Sequence, residues 1–423
     1  MECSWKTLFL LVCTSLGIQY TAIRSLTATI TSHCPGTETG KHCNSHRRGF
    51  SDCSGMSQPH EEPRNNDQKH DRKHILIFAT TRSGSSFLGQ LFNQHPGIFY
   101  LFEPLYHVQQ VFANFSTRMM NVMDRRTLLG AHRDLLSNLY DCNLNFLENY
   151  MKPVPRDHET KVFFRRGASN ALCEPPLCHI ARNSNDMIEH LCAKQCKVLN
   201  LTLASQVCQT RAHMAIKTVR IPEIKDLRLL SEDPRLNLKI IHLVRDPRGI
   251  LASRMGTFTA NFRAWKIWNA TGRKPRSVDL SQISTTCNDL FNSVGTGLSK
   301  PPWLRGKYML VRYEELARNP IKKTAEIYHF IGLDVDARVK KWILQNTKGA
   351  TGTTRNYKYT TTRNSTATAE SWRLNLSFQI VQTVQHLCKD TLSQLGYRLV
   401  QSRKDLRNVS SSLVESKTFV PFL

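Results

Sequence analysis

Two short segments of this chain combine residue types and spacing suited to holding an anion. The first, Thr80-Thr81-Arg82-Ser83-Gly84-Ser85-Ser86, follows an unbroken apolar run at 75–80 (ILIFAT). It precedes a stretch, 86–93, whose Phe87, Leu88, Leu91 and Phe92 share one helical side. A strand feeding a tight loop of small residues and then a helix start presents several backbone N–H groups to a negative ligand. Gly84 permits close approach, the serine hydroxyls add donors, and Arg82 adds a permanent fork-shaped charge. The ATP-type loop G-x-x-x-x-G-K-[ST] is absent, because no Gly stands at its start and no Lys precedes the hydroxyl, so a generic nucleoside triphosphatase is disfavoured. The second segment is Arg245-Asp246-Pro247-Arg248-Gly249-Ile250-Leu251-Ala252-Ser253, again at the end of an apolar run. Asp246 suits a helix cap and Pro247 the first helical position; Arg245 stands at the strand tip and Ser253 about two turns into the helix. The same pattern also describes an ordinary capped helix with surface arginines.

Other chemistry-bearing residues are scattered. Glu103, in Phe99-Tyr100-Leu101-Phe102-Glu103-Pro104-Leu105, sits in an apolar segment that would raise its pKa and make it a general base. It equally suits a residue fixing the Pro104 turn. His95 and His107 are nearby rivals. Arg165, Arg166, Lys217 and Arg220 are candidates for binding an acidic ligand, or else solvated surface charge. No set of residues has the spacing of a metal site; the cysteines Cys173, Cys178, Cys192, Cys196 and Cys208 lack a paired C-x2-C knuckle.

The elements that must carry these residues alternate. Runs at 75–80, 213–219, 238–244 and 308–311 read as buried strands. Stretches at 86–93 and 124–150, one opened by Asn319-Pro320 and ended at Gly332, and a late one from Ile380 to Leu395 closed by Gly396, read as helices. Such alternation predicts an α/β fold with a parallel sheet flanked by helices. The length of 423 residues suits one large domain or two, and 40% hydrophobic residues rule out wholesale disorder. Collagen, coiled coil and multi-span membrane protein are excluded by pattern. The charge, 58 − 33 = +25, points to anionic partners without choosing among nucleic acid, acidic lipid, acidic glycan and phosphorylated cofactor. No nucleic-acid module is recognisable.

Residues 7–23 form an apolar stretch between Lys6 and Arg24, about 26 Å as a helix at 1.5 Å per residue, with Trp5 and Tyr20 placed as interfacial anchors. An uncleaved signal anchor is expected, with residues 1–6 cytoplasmic and residues 24–72 a disordered stem, since segments such as SQPHEEPRNNDQKHDRKH bury too little to order. N-x-[ST] sequons stand at Asn114, Asn200, Asn269, Asn364, Asn375 and Asn408, and 11 of the 13 cysteines follow the apolar stretch. Together these favour an oxidising lumen, with a disulfide-tied insertion near 173–208.

The two loops, in this order and separation, resemble those of the sulfotransferases that use 3′-phosphoadenosine 5′-phosphosulfate, and above all the Golgi carbohydrate 6-O-sulfotransferases. TTRSGSSFLGQLFNQHP, FYLFEPLYHV, FRRGAS, AIKTVR, LVRDPRGILASR, PPWLRGKYMLVRYEELARNP and TRNSTATAESWR carry the likeness, from about residue 73 onward. The resemblance implies a lumenal sulfotransferase domain over 73–423 on a Golgi membrane, single-pass and type II, with no metal. It implies that Thr80 to Ser86 hold the 5′-phosphosulfate and that Arg245 to Ser253 hold the 3′-phosphate. Arg82 would stabilise charge on the bridging oxygen, since arginine does not give up a proton, and Glu103 would be the base. The implied acceptor is the C6 hydroxyl of galactose in keratan-type, acidic poly-N-acetyllactosamine chains; N-acetylglucosamine and N-acetylgalactosamine acceptors are alternatives. Arg363, Trp372 and Arg373 would close over the nucleotide, although a glycan on Asn364 would not fit inside such a cleft. A homo-oligomer is compatible with this picture. The competing readings are a non-enzymatic polyanion-binding lumenal protein and, lacking a magnesium-binding acidic pair, a lumenal kinase.

Overall fold

The computed structural model describes residues 72–112, 122–180, 188–196, 198–348, 362 and 364–422. The apolar segment 7–23, the stem up to residue 71, Asn114 and Arg363 lie outside the described residues. No helix among the described residues is long and apolar enough to cross a membrane.

Five strands form the central sheet: β1 (His74–Ala79), β2 (Ile98–Phe102), β3 (His213–Thr218), β4 (Leu238–Val244) and β5 (Tyr308–Arg312). Their order is β2-β3-β1-β4-β5, with every pairing parallel. A parallel sheet has helices on both faces, so both faces must be apolar. Alternate side chains divide accordingly. Leu76, Phe78, Ile216 and Ile240 join one core cluster, while Ile75, Ile77, Ala215 and Ile241 join the other.

The helices that matter for the site are α1 (Ser85–Asn93), α2 (Leu105–Phe112), α3 (Val122–Tyr140), α4 (Leu201–Thr210), α5 (Pro247–Thr257), α6 (Arg263–Thr271) and α7 (Ser281–Leu298). They are followed by α8 (Tyr313–Arg318), α9 (Pro320–Ile331), α10 (Ser365–Glu370), α11 (Phe378–Leu387) and α12 (Lys389–Leu395). Pro320 opens α9 and Gly332, at φ 76°, ends it, as the residue types predict.

Two expected helices are broken. The stretch 124–150 stops at Tyr140, Cys142 takes a positive φ of 59°, and a 3-10 turn resumes at Leu144–Tyr150. Leu135, Leu139, Leu144 and Leu147 are all buried, so the apolar rhythm runs across a break that periodicity alone does not register. The late stretch splits at Cys388 before Gly396, at φ 68°, closes it. Strand β2 stands where the sequence shows only a short aromatic run ahead of Glu103.

Both breaks sit at disulfides, Cys142–Cys208 and Cys287–Cys388. Cys173–Cys192 and Cys178–Cys196 staple the insertion between β2 and β3, so the clustered cysteines are bonded to one another or to Cys142 rather than held as free thiolates for a metal. Cys287 and Cys388 lie 101 residues apart and join α7 to the end of α11. Replacing both by Ala is expected to cost about 2–5 kcal/mol, because a long loop is released in the unfolded chain. Denaturant unfolding of the two proteins would measure it, and an unchanged midpoint would contradict the constraint.

Candidate active site

Because all five strands are parallel, their carboxyl ends share one edge. The chain leaves β1 for β2 on one side and later crosses over β1 from β3 to β4 on the other, which opens a crevice at that edge. A cavity of about 540 Å³ lies there, and each strand end contributes to it. Arg82, Ser85 and Ser86 follow β1, and Glu103 follows β2. Lys217 and Arg220 come from β3, Arg245 and Ser253 from the end of β4 and from α5, and Tyr313 from the end of β5.

In the first loop, Ser83 N donates to Thr80 O at 3.1 Å, and Arg82 and Gly84 both take positive φ, 72° and 93°. Gly84 is the cap of α1, whose first amides have no partner within the helix. A Cβ at Gly84 would lie 2.3 Å from the Tyr313 ring, so only glycine fits both the backbone and the contact.

The second loop is hydrogen-bonded to the first. Arg245 Nη1 donates to Arg82 O at 3.1 Å, Arg82 Nε donates to Ser253 Oγ at 3.0 Å, and Arg254 Nε donates to Thr81 O at 3.3 Å. The Arg245 guanidinium lies 4.5 Å over the Tyr313 ring, and a Cβ at Gly249 would come within 3.0 Å of its Nε. Arg245 Nε and Ser83 Oγ are buried with no hydrogen-bond partner. Buried donors left without partners are costly, and Arg245, which lines the cavity, is placed to meet an anion there.

Opposite the loops, Glu103 sits on β2's tip with a φ of 49°, its N–H donating to Lys217 O at 2.9 Å. It is 7% exposed. Its Oε1 accepts from Lys217 Nζ, and its Oε2 accepts from Arg220 Nη2 at 2.8 Å. The apolar-segment expectation is corrected here. Burial does push the Glu103 pKa up, but the charges and hydrogen bonds of Lys217 and Arg220 outweigh it and hold the carboxyl below its ordinary value. Lys217 is fully enclosed, 2% exposed, so it is not solvated surface charge. Burial lowers its pKa to about 8, against the pull of Glu103. Its Nζ lies 4.1 Å from the Phe102 ring centroid and Arg165 Cζ lies 4.5 Å from it. Tyr106 and Phe164 stack at 3.8 Å and complete an aromatic wall.

The remaining candidates divide by position. Thr81 and Arg165 line the cavity; Arg165 is held by Glu189 at 2.7 Å. Thr80 closes the loop through its carbonyl, and Ser83 is wholly buried beneath it. Asp246 caps α5, its Oδ1 accepting from Arg248 N at 2.9 Å, and Arg248 packs inward against Asp246, Gln385 and Arg398 O at zero exposure. Pro247, Ile250, Leu251 and Ala252 form the body of that helix without lining the cavity. Arg166 donates to Leu172 O and Leu177 O in the disulfide-stapled insertion.

Trp372 and Arg373 do not close over the cavity. Arg373 is fully buried and donates to Leu406 O, Asp405 O and Ser411 O of the C-terminal segment. Ser365 and Thr368 of α10 line the cavity instead, with Asn364 exposed at the helix cap and its Oδ1 accepting from Ala367 N. His107 Nε2 accepts from Phe164 N at 3.2 Å and burial lowers its pKa to about 4, while His95 Nδ1 accepts from Gly97 N; neither lines the cavity. Among the sequons, Asn375 and Asn408 are exposed and Asn200 caps α4. Tyr313 went unremarked in the sequence, although Arg312-Tyr313-Glu314 repeats the strand-turn-helix form of the two loops.

The family model for the sulfotransferase domain matches residues 72–396. The chain belongs to the sulfotransferase family. It is 53% identical over 425 residues to carbohydrate sulfotransferase 1 of Danio rerio and 52% to that of Homo sapiens, covering all of each chain. It is 42% identical to carbohydrate sulfotransferase 3 of Tetronarce californica over 82% of this chain and 78% of that one. Among solved structures it is similar to the sulfotransferase domain from the curacin biosynthetic pathway, at 16% identity and a TM-score of 0.37, covering 78% and 99% of the two chains.

In this sulfotransferase, Lys217 has a folded pKa below its unfolded one, so between about pH 8 and 10.5 the unfolded chain binds more protons and stability rises with pH. Relative to Lys217→Arg, the wild type should therefore gain stability across that window in urea unfolding. A constant difference between the two proteins would contradict a buried, titrating lysine.

Proposed function

We propose that this protein transfers a sulfuryl group from 3′-phosphoadenosine 5′-phosphosulfate to the C6 hydroxyl of galactose in keratan-type and related N-acetyllactosamine glycans. The observation that carries the reading is the meeting of two anion-binding loops in one cavity, tied by Arg245, Arg82 and Ser253, with one carboxylate facing them. Bound there, the donor supplies an activated sulfuryl group and a bisphosphate leaving group. Thr81, Arg82, Ser85, Ser86 and the first amides of α1 hold its 5′ end; Arg245 and Ser253 hold its 3′ end. Arg245, which lines the cavity with its Nε unpartnered, fits such a polyanion.

Glu103 is the one carboxylate among the described residues that line the cavity, so it takes the proton of the attacking hydroxyl. Two cations depress its basicity, and the transfer is therefore late: the hydroxyl becomes acidic as its oxygen bonds to sulfur while the bond from sulfur to the bridging phosphate oxygen breaks. Arg82 meets the charge that grows on that bridging oxygen. Lys217 and Arg220 hold Glu103 in place, and the wall of Phe102, Tyr106 and Phe164 supports the sugar. The likeness of the sequence motifs to the galactose-modifying members, and the full-length relatives named carbohydrate sulfotransferase 1, favour this acceptor over N-acetylglucosamine or N-acetylgalactosamine. A signal anchor at 7–23, a stem at 24–72 and a lumenal Golgi domain at 73–423 complete the proposal, and the four disulfides among the described residues suit that compartment.

Arg82→Ala, made as a stem-truncated form, should fold and be secreted yet lose sulfate incorporation into a galactose-terminated acceptor, and retained activity would remove the loop assignment. Glu103→Gln should bind adenosine 3′,5′-bisphosphate normally while turnover falls by about 10²–10⁴-fold. Near-normal turnover would remove its role as base.

A further inference from the structure

The transfer reaction occupies the cavity with one sugar, yet the surface leading away from it is strongly charged. Phe258, the cap that ends α5, lines the cavity. The next twenty residues, 259–278, contain Arg263, Lys266, Arg273, Lys274 and Arg276 and no Asp or Glu. All five cations are exposed.

Helix α6 carries Arg263, Lys266 and Ile267 on its outer side and buries Trp265 and Trp268 on the other. At about 1.5 Å per residue it takes the strip roughly 14 Å from its first turn. Gly272, at φ 72°, then turns the chain into Arg273, Lys274 and Arg276. Ile267, Thr271, Arg273, Lys274 and Pro275 border a shallow depression of about 490 Å³. Ile267 is 44% exposed there, and Lys274 Nζ lies 5.6 Å from the Trp268 ring.

Two features distinguish this strip from the paired arginines elsewhere on the surface. Arg125, Arg133, Arg228 and Arg235 elsewhere on the surface each pair with a carboxylate, whereas none of these five does so with any described residue. Arg263 and Lys266 also occupy the first turn of α6, which holds no acidic residue. Positive charge at a helix N-terminus opposes the helix dipole, so local electrostatics disfavours them there. The sequon at Asn269 leaves the outer side clear, because its Nδ2 donates to Asn375 O at 2.8 Å and its Oδ1 accepts from Ser377 N at 2.7 Å.

We propose that this strip is a second binding site, for the sulfate esters or carboxylates of an acidic acceptor chain beyond the sugar that reacts. The proposal rests on the glycan-acceptor reading above and extends it from one hydroxyl to the chain that presents it. Cations spaced along the outer side of α6 and the turn after it, with a depression bordered by Ile267, suit repeated anionic groups on a polymer whose sugar faces are apolar. The strip holds the chain by charge, so it sets affinity and leaves the chemical step to the cavity.

The test compares the full-length wild type with the double variant Lys266→Glu/Lys274→Glu, both exposed positions outside the cavity. Two acceptors are used, a sulfated poly-N-acetyllactosamine chain and a short neutral N-acetyllactosamine. The variant should raise KM for the sulfated chain by about tenfold or more at low salt, with kcat unchanged and KM for the neutral acceptor unchanged, and added salt should shrink the difference. Equal effects on the two acceptors, or none on either, would overturn the strip. If the wild type sulfates neither acceptor, the function proposed above fails instead. Binding of the fluorescently labelled sulfated chain then decides the strip by itself: tighter binding to the wild type than to the variant supports it, and equal binding overturns it.

Discussion

The site depends on one constraint, that β1 lies between β3 and β4 with all three strands parallel. Parallel pairing makes the loop after β1 and the loop after β4 neighbours at the same edge, and the register pairs Ala79 with Leu243 at that edge. From there the contacts between Arg245 and Arg82, and between Arg82 and Ser253, follow from side-chain length alone. Glycine at position 84 is then required, because Tyr313 at the tip of β5 presses into the same loop. One topological fact thus positions two cationic loops and an aromatic ring around a single space.

Charge is distributed unevenly around that space. Buried ions are costly unless paired and hydrogen-bonded. Away from the cavity two buried arginines meet that condition: Arg248 is satisfied by Asp246 and Gln385, and Arg373 by four carbonyls and Glu370. At the cavity the condition is met only in part. Arg245 retains an unpartnered Nε, although Glu103 opposite has each oxygen paired with a cation. Incomplete satisfaction beside open space is what a site built for a polyanion requires.

Much of this was legible in the sequence, for physical reasons that can be named. Both loops announced themselves because a buried parallel strand is a continuous apolar run and its following helix needs small or capping residues. Four of the five strands ended within a residue of expectation for the same reason. Strand β2, Ile98–Phe102, is an apolar run too, but one so short is not told from a buried helical turn by pattern alone. The burial of Lys217 was illegible, since a lysine in AIKTV is apolar-flanked whether its head reaches solvent or a carboxylate across the sheet. For that reason the sequence also points the Glu103 shift the wrong way: its neighbours in sequence are apolar, but its neighbours in space are cations. Trp372 and Arg373 suggest closure over the nucleotide, whereas Arg373 finds its partners some thirty residues onward in the C-terminal segment and Trp372 lies under the Arg248 guanidinium, beyond the reach of local pattern.

The central claim is that the two loops grip opposite ends of one nucleotide, and calorimetric binding tests it most directly. Adenosine 3′,5′-bisphosphate and adenosine 5′-monophosphate are each titrated into the wild type and into Arg245→Ala. The account predicts that the wild type prefers the bisphosphate strongly and that Arg245→Ala erases the preference while leaving the monophosphate affinity nearly intact. Equal affinity of the wild type for the two nucleotides, or a preference that survives in Arg245→Ala, would contradict it.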